Sequence, residues 1–434
     1  MTNENSHVHS SIYSAKSFSI IVVGAGLSGI TAAHELVSRG FSVTLLEAQS
    51  RIGGRIDTSL IEGTPIELGC QYIHGPGGNP LTPLLKKFHI DFKPISITNM
   101  IIYDTEGKPI NFESLSAFRE AVESRLKGSS KKRFSEASEF KEFTPEVFLH
   151  AFREQIHQKS VYTPERKDSL QSYKLGLTLD HLGGNHVIIN GYSKLPEGLL
   201  KEVKNSGLLE IHLDHEVTAI KDEGHRVVVT TPHGKFDANV VVCTVPLKVL
   251  KAIHFNPPLS ARKQEAIENL GMAIHEKILL HFDEPFWPND VHYLLPYDPE
   301  TGFWREIINL HHFIKEKSGG TLLISSYAER TELEVSDNKL VESALNMLIR
   351  IFGNKVSKPK WSKITRWYKD PFVQGAYSYH TEKSSLRDNE DLSEPQGKIC
   401  FAGEHTSQFP SSVDGAYLSG IKAAKDVSKI LNIF

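Results

Sequence analysis

A glycine triplet, Gly24-x-Gly26-x-x-Gly29, follows directly on the apolar run Ser19–Val23 and leads into a stretch of helical periodicity, Ile30–Arg39. That order of strand, glycine loop and helix admits few folds. A near-continuous apolar run suits a parallel strand buried on both faces. The first glycine permits a tight turn, the second lets backbone approach a pyrophosphate, and the third lets the helix lie close on the strand. The helix N-terminus then faces the phosphates with its partial positive charge. Gly40 is suited to cap the helix. Phe41–Leu46 reads as a second strand ending on Glu47, about 20 residues beyond the triplet, where dinucleotide-binding units carry an acid. A carboxylate there accepts bonds from ribose hydroxyls and disfavours a 2′-phosphate. The chain is therefore expected to contain a Rossmann-like α/β domain of the FAD/NAD(P)-binding kind.

Arg51-Ile-Gly-Gly-Arg55 comes directly after Glu47. Two glycines, the second of them Gly54, let backbone approach an anion, and flanking guanidinium groups can neutralise it. Nicotinamide dehydrogenases do not need such an element, whereas a protein that buries a whole FAD does. The cofactor expected is FAD. A net charge of -3 over 434 residues gives no basic field for nucleic acid. Lys127–Arg133 is a local basic run without interleaved aromatics and reads as a solvated loop. Cys70, Cys243 and Cys400 are far apart and odd in number, which argues against a disulfide framework or a zinc site and for a reducing, cytoplasmic location. Residues 1–16 lack the basic start and apolar core of a signal peptide and read as a disordered tail. The longest apolar stretch, Phe18–Ala33, is short for a membrane span of about 20 residues, and no C-terminal anchor is expected.

Further along, Asn111–Gln158 reads as charged and helix-rich, Glu216–Val229 and Lys235–Val242 as paired strands with Val240–Cys243 a buried one, Leu279–Phe282 and Thr321–Tyr327 as further strands, Lys339–Phe352 as an amphipathic helix, and Lys398–Ala402 as a buried strand before a final helix from about Asp414.

The stretch Glu47–Arg55, EAQSRIGGR, resembles the signature of the flavin amine oxidase family, which includes monoamine oxidases, polyamine oxidases and lysine-specific histone demethylases. Glu67–Pro80 (ELGCQYIHGPGGNP) is similar to the segment that passes the flavin in polyamine oxidases. Cys243–Pro246 and Asn256–Leu259 resemble the family's middle. Trp367–Tyr379, Gly403–Ser407 and Asp414–Gly420 resemble its C-terminal third.

The resemblance implies roles for single positions. Glu404 is the acid that bonds the flavin ribitol, Val217 supplies a backbone contact to adenine, and Val413 presents its N–H to the flavin pyrimidine end. Lys277, in Glu276–Phe282 with Phe286-Trp287 downstream, is the lysine that holds a water beside flavin N5. A cation there favours reduction of O2 through an anionic intermediate. Tyr377 is an aromatic wall that orients the amine. Ala376 replaces the flavin-bonded cysteine of monoamine oxidases, so FAD is non-covalent. Ser412 replaces a second aromatic wall and widens the site. His74 matches a histidine of intracellular polyamine oxidases that bonds an inner amine or acts as acid/base.

The expected architecture is a discontinuous FAD-binding domain over 17–90, 184–255 and 390–434, with a mixed α+β substrate-binding domain over 91–183 and 256–389. The expected function is FAD-dependent amine oxidation, most closely that of an intracellular polyamine oxidase acting on a small-molecule amine and O2, without a metal, a nucleic-acid partner or a membrane. An L-amino-acid oxidase, a desaturase and a protein that keeps FAD as a passive part remain open.

Overall fold

A computed structural model describes residues 17–96, 99–103, 106–109, 184–296, 304–314, 318–326, 334–381 and 383–433. The tail 1–16, the basic run Lys127–Arg133 and the segment Asn111–Gln158 lie outside the described residues.

The glycine loop sits on a five-stranded parallel sheet ordered Ile399–Phe401, Val240–Cys243, Ser19–Val23, Ser42–Leu46, Leu209–His212. Ser19–Val23 is central and buried on both faces, as its composition demands. Ile20 and Val22 enter a core shared with helices Leu27–Ser38, Lys194–Val203 and Val413–Ile430. Ile21 and Val23 enter a second core with Val227, Val229, Phe255 and Ile267. From the central strand the chain moves to Ser42–Leu46 and then Leu209–His212 on one side, and Val240–Cys243 and Ile399–Phe401 add on the other. This is a topological switch point, where a crevice opens at the carboxyl ends of the strands.

A second sheet of six strands is ordered Trp361–Ile364, Glu276–Phe282, Gly320–Ser326, Trp304–Asn309, Tyr293–Pro296, Met100–Tyr103 and is antiparallel except for the last pair. One face carries Ile278, Leu280 and Phe282 against Leu340, Ala344 and Leu348 of helix Asp337–Phe352. The other carries Leu279 and Leu323 against Ile66, Leu68 and Val187. Glu276–Phe282 is consequently buried at every position, Lys277 included.

Two sequence expectations change. Val240–Cys243 is the buried strand expected, but it does not continue the pairing of Lys235–Val242: Gly234–Ala238 pairs with Val227–Thr231 in a four-stranded sheet, whereas Val240–Cys243 lies in the parallel sheet. Residues 216–218 are not strand either. Asp214 turns the chain at φ +57°, and the N–H groups of Asp214 and His215 donate to Gln49 O at 3.1 Å and Glu47 O at 2.7 Å, drawing the segment across the end of the sheet. Among the described residues, no helix is long and apolar enough to cross a membrane.

Candidate active site

The glycine loop has the geometry its spacing demands. Gly24 adopts φ +101°, a region side chains rarely enter. A Cβ on Gly29 would stand 2.0 Å from Gly24 O, so only glycine lets the helix come this close. A Cβ on Gly26 would meet nothing within 4 Å, because that position faces open space. The second glycine loop lies alongside: Gly53 N–H donates to Ala25 O at 2.8 Å, and a Cβ on Gly54 would approach Gly26 Cα to 3.2 Å. Thr244, which sequence reasoning did not single out, clamps the turn from the neighbouring strand by donating to Val23 O at 2.8 Å. Only its place in Cys243–Pro246 hinted at it.

Glu47 is buried at the strand end. Its two carboxylate oxygens accept from Ala25 N–H at 2.6 Å and Gln49 N–H at 2.8 Å. Burial pushes its carboxyl above the usual range, and those two N–H groups oppose the shift.

At the opposite end of the crevice Arg55 donates to Glu404 Oε1 at 2.8 Å and to Ala376 O at 3.1 Å. Glu404 also accepts from Ser378 N–H at 3.1 Å, Ser378 Oγ at 2.6 Å and Ser411 N–H at 2.8 Å. Burial works against the carboxylate, but the Arg55 guanidinium and these donors override it and hold its pKa at about 2. Burial also holds the neighbouring His405 down at about 4, so at neutral pH Arg55 is the cation that balances Glu404. The two arginines of the loop therefore part company. Arg51 instead lies over the Trp367 ring at 5.9 Å, with Asp57 at 3.7 Å, beside a separate surface pocket.

The ammonium of Lys277 donates to Glu67 O at 2.8 Å, Gly69 O at 2.6 Å and Gln71 Oε1 at 3.1 Å. Burial lowers its pKa and raises that of Glu67, each shift opposed by the charge of the other. Lys277 does not itself line the crevice; Cys70, held between two of its acceptors, does. His74 stands outside the lining as well. It lies on strand Tyr72–His74, with Nδ1 bonded to Asn185 Oδ1 at 2.7 Å.

The glycine loops, Glu47, Arg55, Cys70 and Glu404 border one cleft. Its lining brings together Glu216, Val217, Gly24, Gly26, Glu47, Gly54, Arg55, Cys70, Ala376, Tyr377, Glu404, Ser412 and Val413. Two helices point their N-termini into it, Leu27–Ser38 capped by Gly26 and Val413–Ile430 capped by Ser412. Ser412, expected as a widened wall, has a second duty: its Oγ accepts from Gly415 N–H at 3.0 Å. Of the sequence-predicted residues, Gly29, Lys277 and His74 are the ones not on the lining, and Gly29 acts from behind it.

A cleft with a glycine cradle, two helix N-termini and an ion pair beside them has the parts that hold a dinucleotide. The family model for flavin-containing amine oxidoreductases matches residues 27–428. The chain belongs to this family. Polyamine oxidase 4 of Oryza sativa subsp. japonica is 31% identical over 95% of this chain and 88% of that protein. Polyamine oxidase 2 of Arabidopsis thaliana is also 31% identical, with the same coverage of 95% and 88%. Lysine-specific histone demethylase 2 of Homo sapiens is 29% identical over 94% of this chain but 53% of its own length. A putrescine oxidase structure superposes with a TM-score of 0.72 at 19% identity, covering 95% of this chain and 99% of that one.

As a family member the chain is an FAD-dependent amine oxidoreductase, and with Ala376 in place of a flavin-bonded cysteine it holds that flavin without a covalent bond. The site fits that cofactor. The space in front of Gly26 is what a side chain would fill, and Ala376 offers no thiol beside Tyr377.

Proposed function

We propose that this protein is a polyamine oxidase, acting on spermine, spermidine or an acetylated form. The observation that carries the reading is the reactive end of the cleft, where Tyr377 and the small residues Ala376 and Ser412 stand together. A single aromatic wall leaves room for a long, flexible amine, whereas two would grip a compact arylalkylamine. The relatives named polyamine oxidase support the same reading.

Bound FAD supplies the hydride acceptor and passes the electrons to O2, giving H2O2. Glu47 would take the ribose hydroxyls, Gly24, Gly26, Gly29 and Gly54 would leave room for the pyrophosphate beside Arg55, and Val217 would meet the adenine. Glu404 would take the ribitol, while Val413 would direct a helix N-terminus at the end of the ring that gains negative charge. Tyr377 orients the amine, its ring set edge-on to His275 at 6.1 Å. Lys277 supplies positive potential from behind Cys70. His74, when Nδ1 donates to Asn185, keeps Nε2 as an acceptor for an inner ammonium. The neutral amine loses hydride from its α-carbon, and the imine hydrolyses to an aldehyde and a shorter amine. Activity therefore rises with pH until the reacting nitrogen is neutral.

The domain division set out from sequence belongs to this proposal, as does a cytoplasmic location, which the free Cys70, Cys243 and Cys400 support. Anaerobic addition of candidate amines, followed by flavin absorbance, tests it. Bleaching by a polyamine at rates at least about tenfold above those with arylalkylamines is expected. Flavin that stays yellow with every polyamine sinks the reading.

A further inference from the structure

We propose that Glu67 is a positioning residue for Lys277: its buried carboxylate keeps the lysine an ammonium behind the Cys70 wall of the cleft. The inference rests on the role given to Lys277 above.

Glu67 and Lys277 meet through the backbone: the ammonium bonds Glu67 O, and the carboxylate of the same residue is the buried anion that acts on it most strongly. Lys277 lies on a strand buried at every position, and its three ammonium hydrogens are matched by three acceptors on one segment, Glu67 O, Gly69 O and Gln71 Oε1. Gly69 and Gln71 flank Cys70, so the tether fixes the part of the wall that Cys70 presents to the cleft. All three acceptors are neutral, and none of them compensates the charge. The Glu67 side chain is held from behind: Oε1 accepts from Tyr192 N–H at 2.9 Å and Oε2 from Thr58 Oγ1 at 2.8 Å. Both donors favour the ionised carboxylate, and both are neutral as well. Glu67 is 2% exposed and Lys277 7%.

The other titratable groups around the pair are Asp57, Cys70 and Tyr192. Arg51 stands 3.7 Å from Asp57, Arg55 acts on Cys70, and Asp414 acts on Tyr192. Burial drives Glu67 and Lys277 both toward neutrality; Thr58, Tyr192 and the Lys277 charge hold Glu67 ionised, and the Glu67 charge is the largest influence that holds Lys277 as an ammonium. Two apolar side chains would fill the same space at lower cost. A buried pair that strains against its own ionisation, behind the wall of a reactive cleft, marks function more than stability. Remove the carboxylate, and Lys277 loses its proton within the working pH range.

Glu67→Gln holoenzyme tests this, since the amide can still bond Tyr192 and Thr58. FAD content and the anaerobic reduction rate are expected to stay within about twofold of wild type. Reoxidation of reduced flavin by O2 is expected to slow about tenfold near pH 8 and to recover on acidification, its midpoint moving down by about one pH unit or more. Bleaching of oxidised flavin by sulfite, which needs no turnover, is expected to show the same displacement. Thr58→Val removes only the hydroxyl donated to the carboxylate and is expected to move the midpoint the same way by less; it carries the test if Glu67→Gln does not load FAD. Lys277→Met is expected to be slow at every pH, and the double variant Glu67→Gln/Lys277→Met no slower. Unmoved midpoints in FAD-loaded Glu67→Gln and Thr58→Val overturn the role of Glu67. Normal reoxidation in Lys277→Met overturns instead the reading of Lys277 on which it rests.

Discussion

At the nucleotide end of the cleft the contacts are made by backbone and by missing side chains. Gly24 turns, Gly29 lets a helix approach, Gly26 leaves open space, and the acid Glu47 has its oxygens held by N–H groups of Ala25 and Gln49. At the reactive end the contacts are made by buried charge: Arg55 with Glu404, and Lys277 beside Glu67. The first end recognises a moiety common to many enzymes and needs only shape and dipoles. The second must support charge that develops during a reaction, and fixed charge out of water does that well while costing stability.

The largest expected effect strikes the shape-built end. Gly29→Val drives a branched side chain into Gly24 O, and a loss of about 3 kcal/mol or more is expected together with loss of yellow colour. The ratio of flavin to protein absorbance and a thermal melt measure both. A variant that keeps its flavin would break the claim that this end depends on close approach.

Next comes the ion pair. Glu404→Gln leaves the half-buried Arg55 without its partner and is expected to cost about 3 kcal/mol. The wild-type carboxyl falls from 4.5 to about 2 on folding, so it adds stability that is present above pH 4.5 and lost as pH falls toward 2. Denaturant melts across that range should show this acid slope in wild type and a flatter one in the variant. Equal slopes would mean that Glu404 is not the anion the fold holds.

A smaller effect is expected for Glu47→Gln. The amide keeps one acceptor for a backbone N–H but loses the charge, and FAD affinity should fall about tenfold. Flavin release on dilution measures it. Smallest of all is Arg51→Ala, at less than about 0.5 kcal/mol and with FAD content unchanged, because Arg51 lies at the surface beside Trp367. If Arg51→Ala lost flavin as Arg55→Ala should, the division between the two arginines would fail.

Much of the nucleotide end was legible in the sequence because its information is local. Strand, glycine triplet, helix and acid fall within Ser19–Glu47, and each position has a physical reason that holds without the rest of the chain. Ser412 and Thr244 were less legible. A helix cap can be suspected from a serine before an apolar run, but the clamp from Thr244 to Val23 spans 221 residues and has no local signature. The expected strand through Glu216 failed for a related reason: backbone bonds from Asp214 and His215 to the Glu47–Gln49 loop outweighed a β-like composition.

The sequence by itself determined that a dinucleotide lies on a parallel sheet and, through Arg51–Arg55, that the dinucleotide is FAD. It named Lys277, Glu404 and Tyr377 as residues to watch. Only the tertiary structure decided what surrounds them: that Lys277 spends its hydrogens on Glu67, Gly69 and Gln71, and that Glu404 is gripped by Arg55, Ser378 and Ser411. Glycine spacing acts through local backbone geometry and so can be read along the chain. A buried charge is stable only through partners brought from hundreds of residues away, and their identity is set by how the sheets and helices pack.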